Sequence, residues 1–251
     1  MYIVRKISIM AIIAVINCVS FASHASSKSF EIEAGILHTN NMEISGYQQQ
    51  NATNGWKSND ATLRLELWSK NDNGWNFGTI LQPIYTRYSG TISENLNTKG
   101  DTYTKGELAT LDYQFHSIRE TANHQVLRFQ NGGGIKLGGS LIARYAQADF
   151  TTASNSFHSS GLLFAPLINF EIEAVITPKH RVIIKSDFLP LPTQGLMNGI
   201  YDTLFAFRTK LYNDKSFDVG LRLFFGGYDP QKPDKYANSI FLSAFVVRYN
   251  I

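Results

Sequence analysis

Residues 217–229 read FDVGLRLFFGGYD, and most of that run alternates. Phe217, Val219, Leu221, Leu223 and Phe225 stand on one side, against Asp218, Gly220 and Arg222 on the other. A period of two is the geometry of an extended strand with two unlike faces, because successive side chains leave a pleated backbone on opposite sides. The pattern recurs along the chain. Residues 30–39 set Phe30, Ile32, Ala34 and Ile36 against Glu31 and Glu33, and residues 61–70 set Ala61, Leu63, Leu65 and Leu67 against Thr62, Arg64 and Glu66. Similar runs fill 75–90, 106–118, 135–150, 161–176, 181–189, 200–212 and 240–251, and helical periodicity is absent throughout. The reading is all-β, with ten antiparallel strands.

The connections between these runs are sorted by length. Those after the second, sixth and eighth strands take about four residues, and the first of them, Asn71-Asp72-Asn73-Gly74, is a tight hairpin signal. Those after the first, third, fifth, seventh and ninth are long and polar, including a Ser/Thr/Asn stretch at 151–160. Residues 119–134 break the rule: they read as a further long loop that ends in a glycine triplet. A soluble sandwich has no reason to sort its loops by parity, whereas a membrane barrel has short turns at one rim and long loops at the other. Strand length agrees. Several runs reach about 12–16 residues, against about 5–6 in globular sheets.

With the apolar parity facing outward, the other face collects a polar network: Glu31, Glu33, Arg64, Glu66, Asp112, Lys136, Arg144, Glu171, Glu173, Lys185, Asp187, Asp202, Arg208, Lys210, Asp218, Arg222 and Arg248, with His116 beside Asp112. Acids and bases nearly balance in that set, so a closed lumen could satisfy them by pairing, as buried charges require. The opposite face holds Phe, Leu, Ile, Val and Tyr on almost every strand, which is too much for one small core to bury from one side. The expectation is a closed antiparallel transmembrane β-barrel spanning 26–251, lipid outside and Arg222 inside, with both termini on the short-turn side.

The N-terminus fits that placement. Arg5 and Lys6 precede an apolar stretch at 7–22, and Ser23-His24-Ala25 offers small residues at its first and third positions, the layout of a secretory signal cleaved after Ala25. About 16 moderately apolar residues is short for a membrane-spanning helix. Cleavage removes Arg5, Lys6 and Cys18, leaving 21 bases against 20 acids and no cysteine. The near-neutral balance gives no electrostatic case for nucleic acid. The missing thiol excludes disulfides, cysteine nucleophiles and Cys-based metal sites.

Signal, strand number, loop parity and a last strand carrying Phe245, Val247, Tyr249 and Ile251 in alternation together resemble a small bacterial outer-membrane β-barrel protein. The last strand is similar to the C-terminal signal read by barrel-assembly machinery, although that signal usually ends in an aromatic residue and this chain ends in Ile251. The resemblance implies a bacterial outer-membrane location. It implies outer-membrane lipid, lipopolysaccharide and the assembly machinery as partners, and carries over no functional residues.

Chemistry is sparse in the sequence. His158-Ser159-Ser160 invites comparison with the His-x-Ser of outer-membrane lipid A 3-O-deacylases, which needs an acid to orient the histidine. Glu171 and Glu173 lie too far along the same strand, roughly 36 Å at about 3.3 Å per residue, and no other acid is marked, so the stretch reads as an external loop. Asp112 and His116 share a face about 13 Å apart and read as lumen hydrogen-bonders. His38, His124 and His180 are scattered, so no metal site is read, and the glycine clusters have no strand-to-helix context for phosphate. No cofactor is expected. The expected role is structural, or binding or adhesion through external loops, with a narrow channel for small solutes and a lipid-modifying enzyme as alternatives.

Overall fold

The computed structural model describes residues 27–45, 56, 58–98, 101–189, 199–213, 215–228 and 237–251. The expected signal segment and its cleavage point lie outside them. Ten strands close into an antiparallel barrel: β1 (Ser27–Ser45), β2 (Asn59–Lys70), β3 (Trp75–Thr91), β6 (Leu108–Arg128), β7 (Gly134–Thr152), β8 (Ser156–Val175), β9 (His180–Leu189), β10 (Ile200–Lys210), β11 (Ser216–Tyr228) and β12 (Ala237–Asn250). Two short strands, β4 (Leu96–Thr98) and β5 (Asp101–Tyr103), form a separate hairpin between β3 and β6. Sequence neighbours pair throughout, and β12 closes on β1 with Glu33 opposite Arg248.

Strand registers fix the shape. From Val175 on β8 they lead through Arg181, Arg208, Asp218, Arg248, Glu33 and Arg64. One further step of register joins Arg64 to Gln82, whose side chains are hydrogen-bonded at 2.9 Å. Ser117 and Arg144 then return the path to β8 at Leu163, twelve residues from its start. Ten strands with that stagger tilt about 40° and enclose a cylinder roughly 20 Å across, narrow enough for side chains to fill.

The rim that carries Ser27 and Ile251 has tight turns. At 71–75 and 129–133 the chain turns back through a glycine at positive φ, Gly74 (82°) and Gly132 (90°), with Asn71 N–H bonded to Trp75 O and Phe129 N–H to Gly133 O. The sixteen residues 119–134, expected as a loop, are instead mostly strand: β6 runs to Arg128 and only 129–133 turn. Arg119, Thr121, Asn123 and Gln125 alternating with Ile118, Ala122 and Val126 are strand-compatible, and the glycine triplet belongs to the turn. The short-turn rule therefore holds at that hairpin too. At the other rim, 151–160 is not a loop either. β8 begins at Ser156, and the connection is 153–155.

A proline explains where the β2–β3 wall is incompletely laddered. Asn71 and Trp75 form a hydrogen-bonded pair, so by alternation Leu65–Leu81 is such a pair and Leu63–Pro83 would be the next. Pro83 has no N–H to give, and the β2–β3 ladder stops at Leu65–Leu81. On β8, Thr152 N–H bonds Asn155 O, which by the same alternation turns the Pro166 nitrogen away from β7. Among the described residues the last pair of the β8–β9 ladder is Ile168–Phe188.

Candidate functional site

The interior divides into two halves. Near the tight-turn rim it is ionic. Asp202 on β10 accepts from Arg64 Nη1 (2.8 Å), Arg119 Nη2 (2.8 Å) and Arg222 Nη1 (2.5 Å). Arg222 also forks onto Glu33, with Nε and Nη2 each 2.7 Å from a carboxylate oxygen. Glu66 takes Arg64 Nε at 2.7 Å and the Trp68 indole at 2.9 Å. Asp187 takes Arg119, Ser140 and Asn169, and Asp218 takes Arg208 and Arg248. Lys185 lies 3.2 Å from Glu31 and 3.8 Å from Glu171, which also holds Lys136 at 2.8 Å, and Arg181 pairs with Glu173. The cavity among Arg64, Glu66, Asp187, Asp202 and Arg222 measures about 10 Å³, room for about one water.

Toward the long-loop rim the interior is apolar. Ile84, Tyr88, Leu111, Phe115, Phe150, Leu204, Phe224 and Leu242 are buried together. Between the halves stands Arg144, its guanidinium 5.1 Å from the Phe115 ring and 4.8 Å from the Phe224 ring. No ion-pair partner is found for it among the described residues, so the aromatic faces supply its counter-field. Residues from outside the barrel strands close the mouth. Trp56 stacks on Phe150 and donates to Thr91 O, and Tyr103 meets Phe150 and Phe157 edge-on. Ser154 Oγ donates to Glu107 (2.8 Å) and holds that carboxyl below the usual carboxylate range.

Of the residues expected in the network, Glu31, Glu33, Arg64, Glu66, Lys136, Arg144, Glu171, Glu173, Lys185, Asp187, Asp202, Arg208, Asp218, Arg222 and Arg248 point inward. Three do not join it. Asp112 and His116 face outward, because β6 presents Leu111, Tyr113 and Phe115 to the lumen. In that half of the barrel the core itself is apolar, so the rule that polar faces point inward inverts. Lys210 is exposed at the end of β10. Arg119, 1% exposed and bonded to both Asp187 and Asp202, was hidden in the supposed loop. Its alternation with Ser117 and Thr121 was the signal available.

The outer wall is banded. Ile32, Leu63, Leu81, Leu141, Phe164, Phe205, Leu221 and Phe245 are exposed large apolar residues. Across β3, β6, β7 and β8 the row Leu81, Ile118, Ala143, Phe164 is apolar and the next, Pro83, His116, Tyr145, Leu162, is mixed. Above them come Tyr85, Gln114, Gln147, Ser160 and then Arg87, Asp112, Asp149, His158, both polar. Hydrogen bonds knit these upper rows. Asp112 accepts from Tyr85 OH at 2.8 Å and lies 3.2 Å from Arg87 Nε. His158 Nδ1 and Asp149 Oδ1 are 2.5 Å apart. Gln147 Nε2 donates to Asp149 (2.6 Å) and Tyr145 OH to Gln147 (3.2 Å). The acid that the sequence did not mark for His158 is thus Asp149, placed opposite it by a three-residue connection. Among the described residues no group of three or more His, Cys, Asp or Glu is placed to hold a metal.

Neither a family model nor a curated protein sequence matches the chain. Solved structures are similar at low identity. The attachment invasion locus protein Ail of Yersinia pestis is 13% identical, with 90% of this chain and 99% of that one covered at a TM-score of 0.39. The translocator domain of the autotransporter NalP from Neisseria meningitidis is 11% identical, with 97% and 96% covered at 0.41. OprG of Pseudomonas aeruginosa is 11% identical, with 91% and 97% covered at 0.37. The described strands close into a ten-stranded antiparallel barrel with charge inside and an apolar belt outside, the architecture of a transmembrane β-barrel.

Proposed function

We propose that this is an outer-membrane barrel with a sealed lumen, working through its outer wall and its long-loop rim rather than by conducting solutes. One observation carries the reading: the described inward-facing side chains are packed, ion-paired in one half and apolar in the other, with Arg119 and Arg248 exposed by no more than 1%. A diffusion path would need water-lined space, and the cavity beside Asp202 holds about one molecule. The tight-turn rim, with both described termini, faces the periplasm and the long loops face outward, in contact with lipopolysaccharide. The protein reaches that state through the barrel-assembly machinery and needs no cofactor. Purified protein inserted in planar bilayers should give no conductance steps. Reproducible steps would overturn the sealed-lumen reading and favour a narrow channel for small solutes.

A further inference from the structure

The outer wall carries a carboxyl where hydrocarbon should be, and we infer that Glu120 marks a track along which amine-bearing phospholipid headgroups cross the membrane on the outside of the barrel. Glu120 is on the outward parity of β6, in the register row Thr79, Glu120, Leu141, Pro166. The row above is the apolar one of Leu81 and Ile118, and the row below holds Phe77, Ala122, Gly139 and Ile168. Four residues from Glu120 in either direction stand His116, in the mixed row, and His124, between Trp75 and Leu137. At the usual strand rise and a tilt of about 40°, each lies about 10 Å from Glu120 along the membrane normal. A lipid belt about 25 Å tall is therefore centred close to this carboxyl.

The wall does not neutralise it. Thr79 Oγ1 donates to the two carboxylate oxygens at 3.1 and 2.9 Å, and among the described residues no cation lies within 4.0 Å of Glu120. An ionisable group at this depth is costly unless something polar reaches it. Hydrocarbon tails bring nothing of that kind, whereas a lipid headgroup does.

A groove leads to Glu120 from the tight-turn rim. It holds about 350 Å³, and its lining includes Lys28, Phe30, Leu67, Phe77, Thr79 and Glu120. Phe30, Leu67, Thr79 and Glu120 are successive partners across β1, β2, β3 and β6. That row climbs with the strand tilt by about 3 Å per strand, so Glu120 stands about 9 Å above Phe30 and about 14 Å above Lys28. Lys28 is exposed at the rim, at the level of lipid phosphates. The groove thus offers a cation to a phosphate at its mouth and a carboxylate to an ammonium at mid-belt, with Phe30, Leu67 and Phe77 between them for the acyl chains. Beyond Glu120, the same face of β6 passes Ile118 and then presents His116, Gln114 and Asp112.

Exchange of a phospholipid between leaflets is slow because its headgroup charges must enter hydrocarbon. A carboxylate at mid-belt pairs with the ammonium where that cost is highest, and the headgroup in turn brings the cation that Glu120 lacks. The gain is specific to amine-bearing heads such as phosphatidylethanolamine, since phosphatidylglycerol has no cation to bring. In a membrane with lipopolysaccharide outside, such a track returns stray phospholipid to the periplasmic leaflet.

The inference deepens the sealed-lumen, outer-wall reading above and rests on it, and one vesicle assay separates the two. The barrel is refolded into vesicles that carry acyl-chain-labelled fluorescent phosphatidylethanolamine or phosphatidylglycerol and enclose a soluble fluorophore. Dithionite added outside bleaches what it can reach, and in protein-free vesicles the inner-leaflet lipid stays bright. With wild type, the labelled phosphatidylethanolamine should bleach completely while the enclosed fluorophore stays bright. Phosphatidylglycerol should exchange more slowly by about tenfold or more, the worth of one charge-assisted bond. Glu120→Leu and Glu120→Gln should slow phosphatidylethanolamine by the same factor, whereas Leu141→Ala, in the same row, should not. Each variant is first shown to be folded by its heat-dependent gel shift. Bleaching of the enclosed fluorophore would refute the sealed lumen alone, and exchange is then read by albumin extraction of the labelled lipid, which a leak for small solutes does not affect. Phosphatidylethanolamine exchange no faster than in protein-free vesicles overturns the inference, as does exchange that survives Glu120→Leu or runs equally fast for phosphatidylglycerol.

Discussion

Replacing Arg222 by leucine tests the interior most directly. Arg222 makes three short charge-assisted bonds, two to Glu33 at 2.7 Å and one to Asp202 at 2.5 Å, with side-chain exposures of 5%, 2% and 0% for the three residues. Asp202 keeps Arg64 and Arg119 at 2.8 Å after the change. Glu33 keeps no ion-pair partner within 4.0 Å among the described residues. A buried carboxylate stripped of its cation costs about 3–5 kcal/mol, whereas replacing both partners by apolar residues of similar volume is often close to neutral. Arg222→Leu should therefore destabilise by about 3–5 kcal/mol, and adding Glu33→Leu should restore most of that. Leu221→Arg, one residue away on the lipid face, is a different lesion: a charge in hydrocarbon, about 2–4 kcal/mol at midplane depth, that no interior substitution relieves. Urea-dependent folding into lipid vesicles, read by gel shift and tryptophan fluorescence, measures all three. An Arg222→Leu change within about 0.5 kcal/mol of wild type, as for an exposed arginine, would refute the inward facing of β11. So would a double variant that loses the sum of the single changes.

Gly78→Ala should destabilise by about 1–3 kcal/mol in the same assay, because the new Cβ would lie 2.5 Å from the Trp68 ring. Pro83→Val supplies the missing donor opposite Leu63, and amide exchange in β2 should slow as its ladder with β3 lengthens; unchanged exchange would show that something other than the proline ends it. A protease site placed at 71–74 or 129–133 should be protected on intact cells, and one at 229–236 should be cut; the reverse would invert the proposed orientation. The Glu107 carboxyl is held low by Ser154, so that contact stabilises the mouth above the ordinary glutamate range near 4.5 and is lost as pH falls through the lowered folded value. The protection of amides 101–107, taken relative to the intrinsic exchange rate at each pH, should fall on acidification past that point in wild type and stay unchanged in Ser154→Ala.

The strand pattern was legible wherever one face met lipid and the other met ions. In β1, β2, β9 and β11 the two faces differ in the plain currency of charge, and the period alone assigned Glu33, Arg64, Asp187 and Arg222 to the interior that the structure gives them. β6 defeated the same reasoning because its environment changes twice along 21 residues. Its first third has an apolar core inside and a polar wall outside, its middle has Arg119 inside and Ile118 against lipid, and its end projects past the neighbouring β2–β3 turn, with Trp75 opposite His124. A single inward–outward rule cannot serve all three zones, so Asp112 and His116 were turned the wrong way, while Arg119 was lost because its stretch was read as a loop.

His158 shows a different limit. Period two says which residues share a strand face but nothing about which residue on the next strand stands opposite, and that depends on the length of the connection. Reading 151–160 as a loop removed the partner strand at the place where it mattered. Once Thr152 pairs with Asn155, the turn is centred between Ala153 and Ser154, and residues equidistant from that point must face each other, Thr151 with Ser156, Phe150 with Phe157, Asp149 with His158 and Gln147 with Ser160. Asp149 and Gln147 then fall with His158 and Ser160 on the outer face, and Phe150 with Phe157 in the core, stacked at 5.3 Å. The cue was therefore present: Phe150 and Phe157 share one parity about a short polar centre, and a hairpin that buries both must bring Asp149 to His158. Polar composition was the wrong criterion for a loop here, because above the lipid belt a barrel wall has no reason to be apolar on its outer face.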